Sequence, residues 1–304
     1  MTSVPAGHRE RFLALVSELR PELHRYCARL TGSVFDGEDI VQDTLARGLA
    51  AVDDLDALPA LRPWLFRIAH NRALDVLRAR ALRSGEPLDA ALDLVDAAAP
   101  GTDEVLLRAE AVRTAVSRFI ELPVTQRSVV ILKDVLDHSL DEIASLLQMT
   151  VNAVKGALAR GRARLAELNA APALATPAAS PPSPAVARYV ALFNARAWDA
   201  LRALLADDVR LNQSGHWLRT GPAEVGTFFT GYAASADWRI APGWLEGREV
   251  VAVFEPACSA RPSYATELVW RDGRLAVILD FRYARYVASD VEIHVAPGAD
   301  RGGS

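Results

Sequence analysis

Cysteine is almost missing from this 304-residue sequence: Cys27 and Cys258 stand far apart, without the spacing of a metal site. That excludes a disulfide framework and fits a reduced, cytoplasmic protein with no metal and no cofactor. No apolar run approaches the roughly 18 residues that a bilayer span requires, and the N-terminus lacks the apolar core of a signal peptide. A large excess of one charge is lacking too, with 34 basic against 38 acidic residues. The near balance hides segregation. Residues 62–83 carry six Arg against Asp75 alone, whereas residues 36–56 and 84–110 each carry seven acids against one Arg. Such blocks suit separate faces for a nucleic acid and for a basic partner, although solvated charge blocks also arise by chance. Apolar residues make up 51% of a chain long enough for two or three domains.

Acids are absent again from Val151 to Leu165, and this gap marks the most informative stretch, Ser139 to Leu165. Ser139 and Glu142 have the spacing of a capping box, followed by Leu140, Ile143, Ala144 and Leu147 on one face. Thr150 is a second cap, before Val151, Val154, Leu158 and Leu165 at helical spacing. The opposite face of that second helix carries Asn152, Lys155, Arg160, Arg162 and Arg164. The pattern fits a helix-turn-helix offering its second helix to a DNA major groove. An ordinary helical hairpin with a solvated basic face is the plainer alternative.

Upstream, two helical runs between His8 and Gly32 are expected to part at Pro21, with Gly32 as C-cap. A helix from Asp36 buries Ile40, Val41, Leu45 and Leu49 and shows Glu38, Asp39, Gln42 and Asp43 on its other face. After a loop at Ala51–Pro63, a helix from about Trp64 to Leu82 exposes Arg67, Asn71, Arg72, Arg78 and Arg80. Basic residues beside a base-reading amide suit melted or single-stranded DNA. Trp64 is core on this reading, with base stacking as its alternative. Residues 84–103 read as a flexible acidic linker. Helices resume from Glu104 to Glu121 and from Pro123 to Asp137.

A second linker, rich in Ala and Pro, spans residues 169–184, and beyond it five of the six Trp and the β-type segments appear. Two short helices are expected in Ala185–Leu205 and another at Pro222–Ala233. Strands are expected around Val209–Asn212, Trp238–Pro242, Glu249–Glu255, Tyr264–Trp270 and Arg274–Tyr283, the last two joined through a turn at Asp272–Gly273. Helices first and strands after imply a curved antiparallel sheet around a helix, an α+β cone.

Residues 10–168 resemble the extracytoplasmic-function sigma factors of bacteria. DGEDIVQDTLARGLA and RPWLFRIAHNRALDVLRAR are similar to that family's region 2, and the segment from LPVTQRSVVILKDVLDHSL to LARGRARL is similar to its region 4. The C-terminal part resembles a SnoaL-like domain of the nuclear transport factor two fold, through RYVALFNARAWDALRALLADDVRL, GHWLRTGPAEVGTFF and VILDFRYARYV. The resemblance implies region 2 at residues 8–83, region 4 at 104–168, a SnoaL-like regulatory domain at 185–295 and a tail at 296–304.

It also implies roles. Asp39, Gln42 and Asp43 fall where the family docks on core RNA polymerase. Asn71 and the loop Val52–Leu61 fall where the minus-ten element is melted and read, with Arg67, Arg72, Arg78 and Arg80 on nearby phosphates. Asn152, Lys155 and Arg160 lie on the helix that reads the minus-thirty-five element, and Arg162 and Arg164 are phosphate contacts or solvated. No catalytic residue is required of a promoter-directing factor whose C-terminal domain regulates it in cis. Two other classes stay open: a DNA-binding regulator that works without polymerase, and an enzyme with a DNA-binding appendage. For the latter Asp280, His216 and Glu267 are the candidate acids and bases, and Trp217, Trp244, Phe254 and Trp270 could line a pocket for an unknown small ligand.

Overall fold

Helix α1 (Ala6–Thr31) runs through Pro21 without a break, so the two runs expected on either side of that residue are one helix. Pro21 cannot donate to the helical ladder. Leu19 and Leu23 beside it are buried, however, and packing holds the helix across the gap. This computed structural model describes residues 6–52, 61–84, 116–170, 181–214, 218–235 and 237–296, in two units, 1–174 and 175–304. The acidic linker, the loop before α3 from residue 53 and most of the Ala/Pro linker lie outside the described residues.

Gly32 ends α1 as expected: its φ is 73°, and the Ser33 amide reaches back to the Ala28 carbonyl at 3.0 Å. A Cβ at Gly32 would sit 2.2 Å from Cγ2 of Ile120, so the position needs glycine for space as well as for φ. Helices α2 (Val34–Ala51) and α3 (Leu61–Ser84) pack on α1. Their inward residues include Val41, Leu65, Phe66 and Ala69, and Trp64 packs at the edge of the same core.

The region expected to be helical up to Glu121 ends in a 3₁₀ turn, Val116–Glu121. Helix α4 (Val124–Val130) then widens into a π-helical turn over Ile131–Val135. Ile131, Leu132 and Asp134 of this turn are buried. The capping box forms: the Ser139 amide donates to Glu142 at 2.7 Å and the Glu142 amide to the Ser139 hydroxyl at 3.2 Å. It starts α5 (Leu140–Leu147), which stops at Gln148 in the left-handed region. Thr150 caps α6 (Val151–Ala170), its hydroxyl accepting from the Ala153 amide at 3.1 Å. A Cβ on Gly161 of α6 would come within 2.6 Å of Val130, which shows how closely α6 crosses α4. One core joins all these helices, from Phe12 to Leu165.

In the second unit α7 (Pro184–Asn194) and α8 (Trp198–Arg202) precede β1 (Leu205–Gln213), β2 (Arg219–Thr220) and α9 (Gly221–Ala233). Strands β3 (Arg239–Leu245), β4 (Arg248–Phe254), β5 (Tyr264–Arg271) and β6 (Arg274–Asp280) follow, then α10 (Tyr286–Asp290) and β7 (His294–Val295). Their order in the sheet is β2-β1-β6-β5-β4-β3-β7. The sheet is mixed and open rather than wholly antiparallel, because β1 returns to pair with β6 in parallel. Tight turns at Asp272–Gly273 and Glu246–Gly247, each with two positive φ values, set the β5–β6 and β3–β4 hairpins. Tyr189, Phe193, Phe229, Tyr232 and Trp238 pack edge to face or tilted across α7, α9 and the start of β3.

Arg127 of α4 sits buried in the helical unit with only carbonyls around its guanidinium: Leu30 at 2.6 Å, Leu122 at 2.7 Å and Ile120 at 2.8 Å. Burial alone pulls its pKa down to about 10. Arg127→Met would leave those carbonyls facing an apolar chain and is expected to cost the helical unit about 2–4 kcal/mol. Urea unfolding followed by far-UV circular dichroism measures the loss, with exposed Arg83→Met as the comparison, expected to shift stability by less than about 0.5 kcal/mol.

Candidate nucleic-acid interface

Two helices of the first unit offer polar faces opposite a shared core. On α3, Ala69 and Ala73 face inward, so Arg67 and Asn71 face out and are exposed. On α6, Val154, Ala157 and Leu158 face inward, and Asn152 and Lys155 are exposed. The remaining predicted phosphate contacts are arranged differently. Arg72 pairs with Asp43 and, at 3.5 Å, with Asp75. Arg78 donates to Asp75 at 3.1 Å. Arg80 pairs with Asp36 and also donates to the Thr31 carbonyl at 2.9 Å, on the last residue of α1. Arg160 is half-buried on α6. Arg162, expected at a phosphate or in solvent, instead forks onto the buried Asp134 with bonds of 2.9 and 2.5 Å, and so ties α6 to the π turn. Arg164 stays on the surface with Glu167 at 3.0 Å.

The acidic face of α2 is narrower than its sequence suggests. Glu38 is fully buried against Arg20, and Gln42 donates to it at 3.0 Å. Asp39 is exposed, and Asp43 accepts from Arg47 at 3.2 Å as well as from Arg72. The signal for Glu38 was legible only from across the helix pair: Arg20, 18 residues earlier, lies on the buried side of α1.

Two histidines stiffen the same unit. The Tyr26 hydroxyl bonds Nδ1 of His70 at 2.7 Å, and burial, with the charge of Arg78, drives the His70 pKa down to about 4. His138 meets Phe66 of α3 edge to face, with ring centroids 5.1 Å apart. Burial lowers its pKa as well.

In the second unit β1, β6 and β5 place Gln213, Asp280 and Thr266 in register. Gln213 donates to one oxygen of Asp280 at 2.7 Å and Thr266 to the other at 3.1 Å. Asp280 is fully buried, and that burial raises its pKa to about 6 despite the three hydrogen bonds it receives. The Arg282 side chain reaches Glu255 at 3.3 Å, while its backbone amide donates to Asp280. The Tyr232 and Tyr264 hydroxyls meet at 2.7 Å nearby. Glu267 pairs with Arg248 at 3.3 Å, away from Asp280, and His216 and Trp217 lie outside the described residues. Among the described residues no cluster of His, Cys, Asp and Glu could hold a metal ion, and no helix is long and apolar enough to cross a membrane.

The chain thus combines a helical unit that presents two polar helix faces with an α+β unit. Residues 15–83 match the sigma-70 region 2 model, residues 112–165 the sigma-70 region 4 model, and residues 186–287 the SnoaL-like domain. The ECF RNA polymerase sigma factor SigG of Mycobacterium tuberculosis (strain CDC 1551 / Oshkosh) is 31% identical over 287 residues, which cover 84% of this chain and 69% of that one. The ECF RNA polymerase sigma factor SigW of Bacillus subtilis (strain 168) is 28% identical, across 53% of this chain and 90% of its own. The crystal structure of the Mycobacterium tuberculosis extracytoplasmic function sigma factor SigJ, 21% identical, covers 88% of this chain and 95% of that one with a TM-score of 0.35. The chain belongs to the ECF RNA polymerase sigma factors, and its function is promoter recognition in transcription initiation.

The raised pKa of Asp280 has a definite sign. The folded state holds a proton there that the unfolded chain releases from about pH 4, so this group's contribution to stability falls as pH rises from about 4 to 6 and stays low above that. Asp280→Asn is expected to flatten the stability of the C-terminal unit over this window, by on the order of 2 kcal/mol. Thermal unfolding at a series of pH values, followed by tryptophan fluorescence, reads the change. His70 acts oppositely in the helical unit: it is held neutral, so its contribution is lost as pH falls from about 6.5 to 4.

Proposed function

We propose that α2 docks this factor on core RNA polymerase through Asp39, Gln42 and Asp43, that α3 reads the minus-ten element through Asn71 with Arg67 on a phosphate, and that α6 reads the minus-thirty-five element through Asn152 and Lys155. The observation that carries the reading is the pair of polar helix faces, on α3 and α6, exposed on opposite sides of residues committed to one core. Asn can pair bidentately with adenine and Lys with guanine, each for about 1–3 kcal/mol of discrimination. Arg72, Arg78, Arg80 and Arg160 add phosphate affinity only to the extent that they leave their present surroundings. The two elements are named for positions about 25 base pairs apart, roughly 80 Å of duplex. Region 4 therefore leaves its seat on region 2 when both are read at once. The factor acts in the cytoplasm, where polymerase and promoter are.

Within this reading the C-terminal unit regulates in cis rather than by turnover. A general base must reach its substrate. Asp280 is sealed from solvent, and both its oxygens are taken by Gln213 and Thr266. A small ligand in this unit remains part of the proposal, acting on the regulator rather than being converted.

Lys155→Ala is expected to weaken binding of the reconstituted holoenzyme to a cognate promoter at least tenfold, and to random duplex by threefold or less. Equal losses in a filter-binding assay would reduce Lys155 to a phosphate contact. Removal of residues 185–304 is expected to change promoter output in reconstituted transcription by several-fold. Unchanged output with unchanged polymerase affinity would refute regulation in cis. Absence of core polymerase from a pull-down on the full chain would favour a polymerase-independent regulator.

A further inference from the structure

Asp43, assigned above to polymerase, and Arg72, assigned to DNA, touch each other. Asp43 of α2 offers one carboxylate oxygen to Nε of Arg47, at 3.2 Å, and the other to Nε of Arg72 on α3. Arg72 reaches on to Asp75 at 3.5 Å, and Asp75 accepts from Arg78 at 3.1 Å. Five side chains of alternating sign, Arg47, Asp43, Arg72, Asp75 and Arg78, thus form one strip across the α2–α3 surface. The strip begins among the carboxylates assigned to polymerase and ends among the arginines assigned to phosphate. Asn71 stands beside it in sequence and is exposed.

We infer that Asp43 couples the two bindings: in the free factor it occupies Arg72, and a polymerase surface that takes Asp43 releases Arg72 to a promoter phosphate. The inference rests on the role proposed for Asp43. Geometry supports an exchange rather than a fixed pair. Both side chains are about one-third exposed, so each can turn to a new partner without unfolding its helix. A carboxylate that already serves two guanidinium groups loses one partner at little cost, and a freed Arg gains a forked contact to phosphate. Exchange works in both directions. Whatever polymerase contributes to DNA affinity through this pair, DNA contributes equally to polymerase affinity. A pair one-third exposed sets the scale at roughly two- to five-fold, a bias added to the main contacts rather than a switch.

The buried arginines do not share this behaviour. Arg162 is locked on a carboxylate that is 1% exposed, and Arg127 on carbonyls. Among the ion pairs described, Arg72 with Asp43 joins a residue assigned to polymerase to one assigned to DNA.

The test is a double-mutant cycle on the full chain, Asp43→Asn, Arg72→Gln and both together. Affinity for a mixed-sequence single-stranded DNA is read by fluorescence anisotropy without polymerase, and affinity for core polymerase is read separately. Asp43→Asn is expected to bind the DNA two- to five-fold more tightly than the unaltered chain, and the gain should vanish when Arg72→Gln is added. Reciprocally, Arg72→Gln should bind core polymerase more tightly by a similar factor, which keeps the test decisive should Asp43→Asn fail to fold. No gain in either direction overturns the coupling. So does a gain that survives in the double variant, because it then reflects only the lost negative charge. Failure of the unaltered chain to bind core polymerase overturns the functional reading itself and is seen independently of the cycle.

Discussion

The helical unit depends on what holds the C-terminal end of α1. A helix leaves its last carbonyls without internal partners and gathers partial negative charge there. Two guanidinium groups meet that demand from different parts of the chain: Arg80 of α3 takes the Thr31 carbonyl and Arg127 of α4 takes that of Leu30. Ile120 closes over Gly32 at the same point, at a distance that no side chain there would permit. Region 4 is therefore seated on region 2 through one helix end as well as through the common core. Arg127 has given up water for carbonyls alone among its hydrogen-bonded partners, so its position is rigid in direction and costly to vacate.

That constraint divides the arginines by use. Arg127 and Arg162 serve the fold, because one is tied to backbone carbonyls and the other to a buried carboxylate, and Arg80 is shared between the end of α1 and a surface pair with Asp36. Arg67 is exposed, and Arg72 and Arg78 share carboxylates near the surface, where pairs contribute at most about 1 kcal/mol and exchange readily. A count of basic residues on a helix overstates what is available to a phosphate backbone. On the reading proposed above, the exposed amides and amine, Asn71, Asn152 and Lys155, would carry more of the base reading than the net charge of their helices suggests.

Much of this was legible in the sequence, and the exceptions share a cause. The capping box at Ser139, the Gly32 terminator, the Thr150 cap and the turn at Asp272–Gly273 depend on residues within a few positions of one another, and each is found where the sequence places it. The continuous α1, the π turn at Ile131–Val135 and the parallel return of β1 onto β6 depend on partners far along the chain. Pro21 is a local stop signal that distant packing overrides. The candidate site divides in the same way. Asn71, Asn152 and Lys155 are exposed because the local periodicity says so, whereas Glu38 and Arg162 belong to the interior because of Arg20 and Asp134.

Asp280 poses the opposite problem, a charge-bearing group whose burial works against its charged form. Desolvation keeps its pKa high even though Gln213, Thr266 and the Arg282 backbone all donate to it. Burial of such a group is a poor source of stability, but it is a good source of uniqueness where its partners lie on different strands. Gln213 comes from β1 and Thr266 from β5, on either side of Asp280 in β6. Both bonds form in one register only. A slip of one residue on either neighbour would turn Gln213 or Thr266 to the opposite face and strand the carboxyl. The β1–β6 pair joins strands far apart in the chain, as β3–β7 also does, so no tight turn fixes its alignment. The buried acid thereby ties three strands, β1, β6 and β5, to one alignment.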